Sequence, residues 1–333
     1  MAFSFYSPVT VQSGQVPSTQ TNFPMLVSYT DNRLKSVANG GHCQTPFDIR
    51  PYSDSSLTTA LTFELVFYSA STGQVEMWVK IPSLSDGYVI YLAYGDASLS
   101  SDGSSTSTWD SNFVAVYHLG NGTTLNLNDS TSNARTLTNT GSHVSAGSGQ
   151  IDGGASFNGT NGDLVTDNFT MGTVLTISCW VKHDNTSGMM YVEKETVNNT
   201  WALFTETNLS LRGGGTVTNT TTRPSDNTWT FVAGSITGTS AKLYLNGAAP
   251  VSGTVDPINN NNSAIHLGNF DNSGYFLNGS LDEVHISDSI RSDNWLKTEY
   301  NNQSVPSTFA VLGTEVMIGG SPQAAVRQLF VFP

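Results

Sequence analysis

The chain has 333 residues, of which 38% are hydrophobic and 12% are charged, with 13 Lys and Arg against 26 Asp and Glu. This length is sufficient for two domains, and a polarity that comes from Ser, Thr, Asn and Gly favours strands and turns over helices. A net charge of −13 without a cluster of Lys or Arg argues against nucleic acid as a partner. Acidic loops suit divalent cations, or they simply keep a protein soluble.

The first residues contain neither a basic segment nor a long apolar run. Residues 1–19 are therefore predicted to form an N-terminal arm rather than a signal peptide. No run approaches the roughly 18 apolar residues of a membrane-spanning helix, so no membrane partner is expected. The composition is typical of extracellular proteins although the export signal is missing. A virion protein released by lysis, a precursor fragment or signal-independent secretion would each resolve that conflict.

Alternation of apolar and polar residues predicts a first β-sandwich over residues 20–108. Residues 61–67 and 75–81 each present one apolar face, whereas residues 88–94 are apolar on both faces, as in a central strand. Residues 97–108 are nearly all Ser, Thr, Gly and Asp, which predicts a flexible connector to the next domain.

The alternation continues through a second predicted domain, residues 109–315. Residues 175–181 present an apolar face through alternate side chains, and Asn246 with Gly247 forms a strong hairpin-turn signal. One helix is predicted after Ser292, which can cap it, and we expect this helix to close one end of the sandwich. Many short strands with turns between them predict an all-β fold class with two β-sandwich (jelly-roll) domains.

The C-terminal tail, residues 316–333, ends in an apolar sequence after two glycines. Such a tail is either disordered or a docking peptide that adds to a partner's sheet edge. Cys43 and Cys179 are too few to organise the fold by disulfides, and Cys179 is expected to be a small core residue.

Residues 150–313 resemble the laminin-G/concanavalin-A-like family, because six short motifs occur in the family's order. These motifs are residues 153–159, 163–165, 176–182, 228–233, 243–247 and 278–286. The resemblance implies that the second domain is a concanavalin-A-like sandwich with a lectin-like binding function.

Residues 23–119 resemble an uncharacterised bacterial β-domain family that commonly precedes such sandwiches, through segments such as 47–50, 79–84 and 109–113. This arrangement is similar to that of bacteriophage structural proteins. It implies a virion surface protein, either a capsid decoration or a tail or fibre component. The arm, the first domain or the tail would bind other virion proteins, while the sandwich would face glycans or other cell-surface polymers.

A homo-oligomer is also compatible with a virion protein, because such proteins often follow the local symmetry of their particle. The alternative is a bacterial cell-surface or secreted adhesin, or a carbohydrate-binding module.

Enzymatic activity is not expected. Laminarinase-like enzymes on this fold carry Glu-x-Asp-x-(x)-Glu on one strand, which brings the carboxylates together for retaining hydrolysis, and no such run occurs here. Glu193 and Glu195 share one face but lack the Asp, so a solvated strand edge is their expected role and a glycan hydrolase is the weaker alternative. The sequence has no Gly-x-Ser-x-Gly elbow and no zinc-spaced histidines. His118 and His285 are expected to be packed residues.

A structural calcium ion is the expected cofactor. The family resemblance implies that an Asp of the final conserved strand and oxygens near the start of the domain hold it. Asp282 matches the first position, and Asp163, at the end of an Asn- and Gly-rich turn, supplies the second. Residues 269–273 form another oxygen-rich candidate. Alternatively, Asp163 and Asp282 only cap turns through hydrogen bonds to the backbone.

Aromatic residues near polar loops are the candidates for sugar binding, because a pocket combines apolar surface with a few orienting polar groups. Trp180 lies on the opposite strand face from Cys179, so it is expected either to line a concave surface or to be a core position. Trp201 follows a polar Asn-Asn-Thr segment, so it is expected either to be partly exposed or to be a core position. The predicted ligand-binding residues are Trp180, Tyr191, Trp201, Phe270 and Tyr275.

Overall fold

The structure is a computed structural model that describes residues 3–120, 123–184, 188–194, 201–220, 222–270 and 274–319. The strands of the first part of the chain are β1 (Phe5–Val11), β2 (Gln20–Thr30), β3 (Arg50–Tyr52), β4 (Phe63–Ser69), β5 (Gln74–Leu84), β6 (Val89–Tyr94), β7 (Phe113–Tyr117), β8 (Leu119–Gly120) and β9 (Leu125–Asn126). Single 3-10 turns occupy Asn32–Leu34, Val37–Asn39, Thr106–Thr108 and Thr140–Ser142.

The remaining elements include two helices. The strands are β10 (Thr138–Asn139), β11 (Ser145–Ser148), β12 (Gly153–Asn158), β13 (Leu164–Val165), β14 (Val174–His183), β15 (Met189–Lys194), β16 (Trp201–Thr205), β17 (Leu209–Gly213), β18 (Thr216–Asn219), β19 (Thr230–Thr237), β20 (Ser240–Leu245), β21 (Val251–Thr254), β22 (Ile265–Leu267), β23 (Asn278–Ser287), β24 (Ala310–Leu312) and β25 (Val316–Met317). The helices are α1 (Asp293–Ser304) and α2 (Pro306–Phe309).

Two antiparallel sheets form the first sandwich, called here the first module. One sheet has the order β24-β1-β6-β3, with β25 also paired to β1, and the other has the order β2-β5-β4. Val9 of β1, Met25 of β2, Val79 of β5 and Leu92 of β6 are fully or almost fully buried in one core. The alternation that predicted these strands supplies the apolar layer between the sheets.

The predicted N-terminal arm is wrong, because β1 is an interior strand of the first module. Val9 pairs with Ile90 on one side and with Leu312 on the other. Alternate residues Val9 and Val11 are buried, so this segment carries the two-residue period of a strand with one buried face. The segment that pairs with it lies about three hundred residues later in the sequence.

The predicted flexible connector is bonded to the first module. The backbone N–H of Ser105 donates to the carbonyl of Phe63 at 2.9 Å, and Lys80 Nζ donates to the carbonyl of Ser107 at 3.0 Å. Trp109 follows as a buried residue whose ring centroid lies 5.2 Å from that of Trp78. Residues 97–108 therefore run along the module instead of forming a free tether.

The second sandwich is concanavalin-A-like and has two larger antiparallel sheets. The seven-stranded sheet has the order β10-β13-β22-β15-β16-β17-β18, and the eight-stranded sheet has the order β11-β12-β23-β14-β19-β20-β21, with β7 also paired to β23. The predicted apolar face of β14 is confirmed, since Ile177, Cys179 and Val181 are buried between the sheets. Asn246 and Gly247 both have left-handed φ values, of 48° and 60°, as the predicted tight turn requires.

Helix α1 covers the outer face of the eight-stranded sheet. Ser292 caps it as predicted, accepting a 3.0 Å hydrogen bond from the N–H of Trp295. The expectation that it closes one end of the sandwich is wrong, because its Tyr300 packs against Trp180 and Phe231 on the sheet face. On its other side Trp295 contacts Phe23 of β2, with ring centroids 4.8 Å apart.

One continuous core therefore joins the first module, α1 and the eight-stranded sheet. The outer face of the seven-stranded sheet consequently lies on the opposite side of the molecule from the first module. Val316 and Met317 of the predicted tail pair with β1, and residues 320–333 lie outside the described residues.

Candidate ligand-binding groove

A row of side chains crosses the outer face of the seven-stranded sheet. The strand register places His266, Glu193, Ala202 and Arg212 beside one another on four successive strands. The small Ala202 leaves room for the Arg212 guanidinium to approach Glu193, with an Nη2–Oε2 distance of 3.8 Å. The same guanidinium lies 5.0 Å from the ring centre of Phe270.

An apolar patch continues this face towards one end of β15. Met190, Ala202 and Phe204 are buried and pack together, and Phe270 packs on them from the loop after β22. Phe270 thereby joins the charged row to the apolar patch.

The patch leads to a groove of about 440 Å³ lined by Gly188, Glu206, Thr207 and Tyr275. The Tyr275 side chain is 44% exposed, and its hydroxyl donates to Glu206 Oε1 at 3.3 Å. The rings of Phe270 and Tyr275 meet edge to face, with centroids 6.1 Å apart. The structure thus brings together two of the five predicted ligand-binding residues.

The backbone around Tyr275 fixes the position of its ring. Tyr275 has a left-handed φ of 54°, and its carbonyl accepts a 2.7 Å hydrogen bond from the N–H of Met190. Gly188, with a φ of 75°, lies against the ring, where a Cβ atom would come within 3.1 Å of Tyr275 Cε1. A side chain at position 188 would therefore push on the ring, in addition to the cost of the left-handed backbone.

The other three predicted ligand-binding residues are buried. Trp180 is 2% exposed under α1, where its Nε1 donates to Gln303 Oε1 at 2.6 Å. Tyr191 stacks on His183 inside the second sandwich. Of the two alternatives for Trp201, the structure has the core position, since it is 1% exposed and its Nε1 points to the sulfur of Met171. Strand periodicity predicts on which face of its strand each ring lies, but it does not predict which layer covers that face.

Glu193 does not lie at a solvated strand edge, so that expectation is wrong. Its side chain and that of Lys194 are buried, because β15 lies between β22 and β16 in the interior of the sheet. Lys194 Nζ donates to the carbonyls of Phe169 and Ser263. Glu195, the second member of the predicted acidic pair, lies outside the described residues.

Asp163 and Asp282, the predicted calcium ligands, have separate partners in different sheets. Asp163 Oδ1 lies 3.1 Å from His266 Nδ1 at the seven-stranded sheet. Asp282 is in β23 of the eight-stranded sheet, where its Oδ2 accepts from the N–H of Ile151 at 2.8 Å. Burial, followed by the charge of Glu283, raises the pKa of Asp282 well above its usual value. The structure therefore does not assemble the predicted pair into one site, and Asp282 Oδ2 makes a hydrogen bond to the backbone.

A β-bulge determines which way the side chains of β23 point. Glu283 has a left-handed φ of 46°, and the register between β14 and β23 shifts at this point. Val284 and Ile286 face the inner core, whereas Asp282 pairs with Trp180 on the opposite face. Strict alternation would place all three residues on one face, but the extra residue of a bulge reverses the alternation.

The bulge also builds a buried ionic cluster between the first module and the eight-stranded sheet. His118 Nδ1 lies 2.8 Å from Glu283 Oε2, and His285 Nε2 lies 3.1 Å from the same oxygen. The second nitrogens of the two rings face Glu64 of β4, at 3.4 Å, and Glu299 of α1, at 2.8 Å. The rings of Trp78 and Trp109 pack against both histidines.

The cluster favours the charged form of both histidines. Burial alone would lower the pKa of His118, but Glu283 and Glu64 raise it well above its usual value. His285 also has a raised pKa, since Glu283 and Glu299 outweigh its burial. Burial would raise the pKa of Glu283, but the two histidines lower it to about 2. His118 and His285 are thus packed, as expected, and they are also paired with carboxylates, which single-residue patterns did not indicate.

Within the described ranges, no helix is long and apolar enough to cross a membrane, and no group of three or more His, Cys, Asp or Glu side chains is arranged so that it could hold a metal ion. Cys43 and Cys179 are both buried free thiols.

Residues 152–297 match the family described as the concanavalin A-like lectin/glucanases superfamily, Laminin_G_3. Among solved structures, the chain is similar to domain 4 of AbnA, a GH43 extracellular arabinanase from Geobacillus stearothermophilus, in complex with arabinotriose. That match has 22% identity and a TM-score of 0.48, and it covers 57% of this chain and 98% of the domain.

Two toxin domains show a similar likeness. The binding domain of Paraclostridial Mosquitocidal Protein 1 has 19% identity and a TM-score of 0.45, and the match covers 57% of this chain and 52% of that one. The receptor binding domain of botulinum neurotoxin D has 13% identity and a TM-score of 0.46, and the match covers 58% of this chain and 53% of that one. The chain thus spans about half the length of each toxin domain. None of the curated proteins compared with the chain matches it.

Proposed function

We propose that this protein is a non-enzymatic, lectin-like binding protein that holds glycans in the groove beside Tyr275. The observation that carries the proposal is the meeting of the exposed Tyr275 ring, Phe270 and the Glu206 carboxylate around a cavity of about 440 Å³. An aromatic face can pack on the apolar face of a sugar ring, and a carboxylate accepts hydrogen bonds from sugar hydroxyls.

The position of the groove supports this function. It belongs to the seven-stranded sheet, the layer on the far side of the eight-stranded sheet from the first module. Strands β1, β24 and β25 all lie in the first module. Contacts through that module would therefore leave the groove open to a ligand.

The non-enzymatic part of the proposal is supported by the state of Glu193. This carboxylate is fully buried and lies 3.8 Å from Arg212, so a substrate has no direct access to it. Reducing-sugar release by the wild-type protein that disappears in Glu193→Gln would overturn this part of the proposal.

The test of glycan binding is an oligosaccharide array followed by calorimetry with the best ligand. Tyr275→Ala should weaken binding about 30-fold, the effect of losing a central aromatic contact worth about 2 kcal/mol. Tyr6→Ala is the matched control, because Tyr6 and Tyr91 form a similar edge-to-face pair, with centroids 5.6 Å apart, on the first module. Equal binding by wild type and Tyr275→Ala would remove the groove as the binding site.

We place this binding activity on a virion surface, with the first module as the attachment to other virion proteins. The support is the resemblance of residues 23–119 and the two-domain order to bacteriophage structural proteins. Mass spectrometry of density-purified particles tests the placement. Stoichiometric amounts of the chain in particles would support it, whereas its presence only in cell-envelope or secreted fractions would favour a bacterial adhesin.

Calcium binding is proposed for Asp282 alone. Its Oδ1 atom is buried and has no hydrogen-bond partner among the described residues. A calcium ion at this oxygen would have to displace the proton that the raised pKa of Asp282 favours. Calcium at about 100 times its dissociation constant should add about 2.7 kcal/mol to the free energy of unfolding. An unfolding midpoint that is equal in calcium and in chelator would remove this site.

A further inference from the structure

A second cavity lies at the other end of β15 from the Tyr275 groove. It has a volume of about 290 Å³ and is lined by residues 133–136 and 167–169. We call it the Arg135 pocket. Gly188, just before β15, lines the Tyr275 groove, whereas Lys194, the last residue of β15, contacts Phe169 of the Arg135 pocket. Because a strand rises about 3.3 Å per residue, the two cavities are roughly 20 Å apart.

Two cations meet at one aromatic ring in this pocket. The guanidinium carbon of Arg135 lies 4.0 Å from the ring centre of Phe169, and Lys194 Nζ lies 4.4 Å from the same centre. Lys194 Nζ donates to backbone carbonyls and to the Ser263 hydroxyl. Burial, followed by the neighbouring Arg135, lowers the pKa of Lys194 to about 8. Two like charges therefore lie close together around a partly buried ring.

The backbone of Arg135 is fixed by hydrogen bonds, whereas its Nε atom makes none within the described residues. The backbone N–H of Arg135 donates to Asp129 Oδ2 at 2.9 Å, and its carbonyl accepts from the Tyr117 hydroxyl at 2.7 Å. Within the described residues, its Nε atom is buried without a hydrogen-bond partner. Asp167 lines the same pocket and forms no ion pair with Arg135 in the described part of the chain.

A buried guanidinium nitrogen without a hydrogen-bond partner is unusual, because buried polar groups are normally satisfied. The planar guanidinium fork matches a carboxylate through two parallel hydrogen bonds. The Phe169 ring supplies an apolar face beside it, and the volume is near the lower end of the range for small-molecule sites.

We propose that the Arg135 pocket binds the carboxylate of an acidic sugar unit such as a uronate, with Arg135 as the paired donor and Lys194 as a second positive charge. This site is separate from the Tyr275 groove, so it does not depend on the proposed function of that groove. A glycan that alternates neutral and acidic sugars would be able to use both sites.

The first experiment is a titration of the full chain with glucuronate, with glucose and sulfate as comparison ligands, observed through the NMR signal of the Arg135 Nε–H. Glucuronate should shift this signal with saturation, glucose should leave it unchanged, and sulfate should bind more weakly. An unchanged signal at saturating glucuronate concentrations in the tens of millimolar would overturn the proposal. Equal affinity for sulfate and glucuronate would overturn the assignment to a sugar carboxylate.

The second experiment uses variants, each checked for an unchanged unfolding midpoint. Arg135→Gln should weaken glucuronate binding tenfold or more, about the effect of losing hydrogen bonds between charged groups. Asp167→Asn should strengthen binding, because it removes a negative charge from the pocket. Arg50→Gln is the matched control, since Arg50 also lies over a phenylalanine ring, 5.3 Å from the centre of Phe63, but donates to the carbonyls of Ile49 and Ser101.

The two sites can fail independently. Tyr275→Ala should leave glucuronate binding unchanged, and Arg135→Gln should leave glycan binding in the Tyr275 groove unchanged. If Arg135→Gln binds glucuronate as well as wild type does, the Arg135 pocket is not the acidic-sugar site. Binding of glucuronate should also be accompanied by proton uptake near pH 8, because an anion beside Lys194 raises the pKa of that amine.

Discussion

Replacement of Glu283 by Gln should destabilise the whole protein rather than one of its domains. The Glu283 carboxylate accepts from His118 and His285 in a buried position between the first module and the second sandwich. Glutamine keeps the size of the side chain but removes the charge that holds both imidazolium groups. Each histidine must then either lose its proton or remain as a charge with a weaker partner.

The magnitude follows from the pKa of Glu283. Its shift from 4.5 to about 2 corresponds to about 3 kcal/mol of interaction that favours the charged carboxylate. Removal of one partner from a buried ion pair typically costs about 3–5 kcal/mol, which agrees with that value. For a chain of this length, a loss of about 3 kcal/mol should lower the thermal midpoint by about 4 °C.

Urea unfolding followed by tryptophan fluorescence and by circular dichroism measures this change. The two probes should give one coincident transition in wild type and in the variant, because a single core spans the first module, α1 and the eight-stranded sheet. Glu206→Gln is the control, since Glu206 is exposed. A loss below about 1 kcal/mol in Glu283→Gln would refute the stabilising role of the cluster.

Two further predictions concern the same interface. The stability supplied by the cluster should be greatest between about pH 4.5 and 6.5. Because the pKa of Glu283 is lowered, the stability that Glu283 contributes is lost as the pH falls from 4.5 towards 2. Because the pKa values of His118 and His285 are raised, the stability that these histidines contribute is lost as the pH rises from 6.5 through the raised pKa values. A urea midpoint that rises steadily from pH 6.5 to pH 9 would contradict this. Asn302→Ala should lower the free energy of unfolding by about 2 kcal/mol or more, because the buried Asn302 amide forms hydrogen bonds with both the N–H and the carbonyl of Leu26 on β2. Urea unfolding of this variant and of the control Asn301→Ala measures the loss.

Local chemistry made several elements predictable. The tight turn at Asn246 and Gly247, the cap at Ser292 and the buried face of β14 each depend on residues that are close in sequence. The order of family motifs similarly indicated the concanavalin-A-like sandwich, which the match over residues 152–297 supports. These features required no knowledge of distant partners.

The candidate groove was only partly predictable. Phe270 and Tyr275 were named because they flank polar loops. Gly188, Glu206 and Thr207 carried no such signal, since they are ordinary turn residues whose function arises from their position beside Tyr275. The Arg135 pocket was not anticipated either, because Arg135 and Lys194 are far apart in the sequence and meet only across Phe169.

By itself, the sequence determined which residues alternate, where turns and a helix cap occur, and which family the second domain resembles, because all of these depend on neighbouring residues. Only the tertiary structure decided that β1 pairs with β24, that α1 covers Trp180, and that a bulge at Glu283 turns Asp282 away from the inner core. The physical reason is that periodicity assigns each side chain to a face of its strand, whereas packing between distant segments decides whether that face meets another layer, a charge or water.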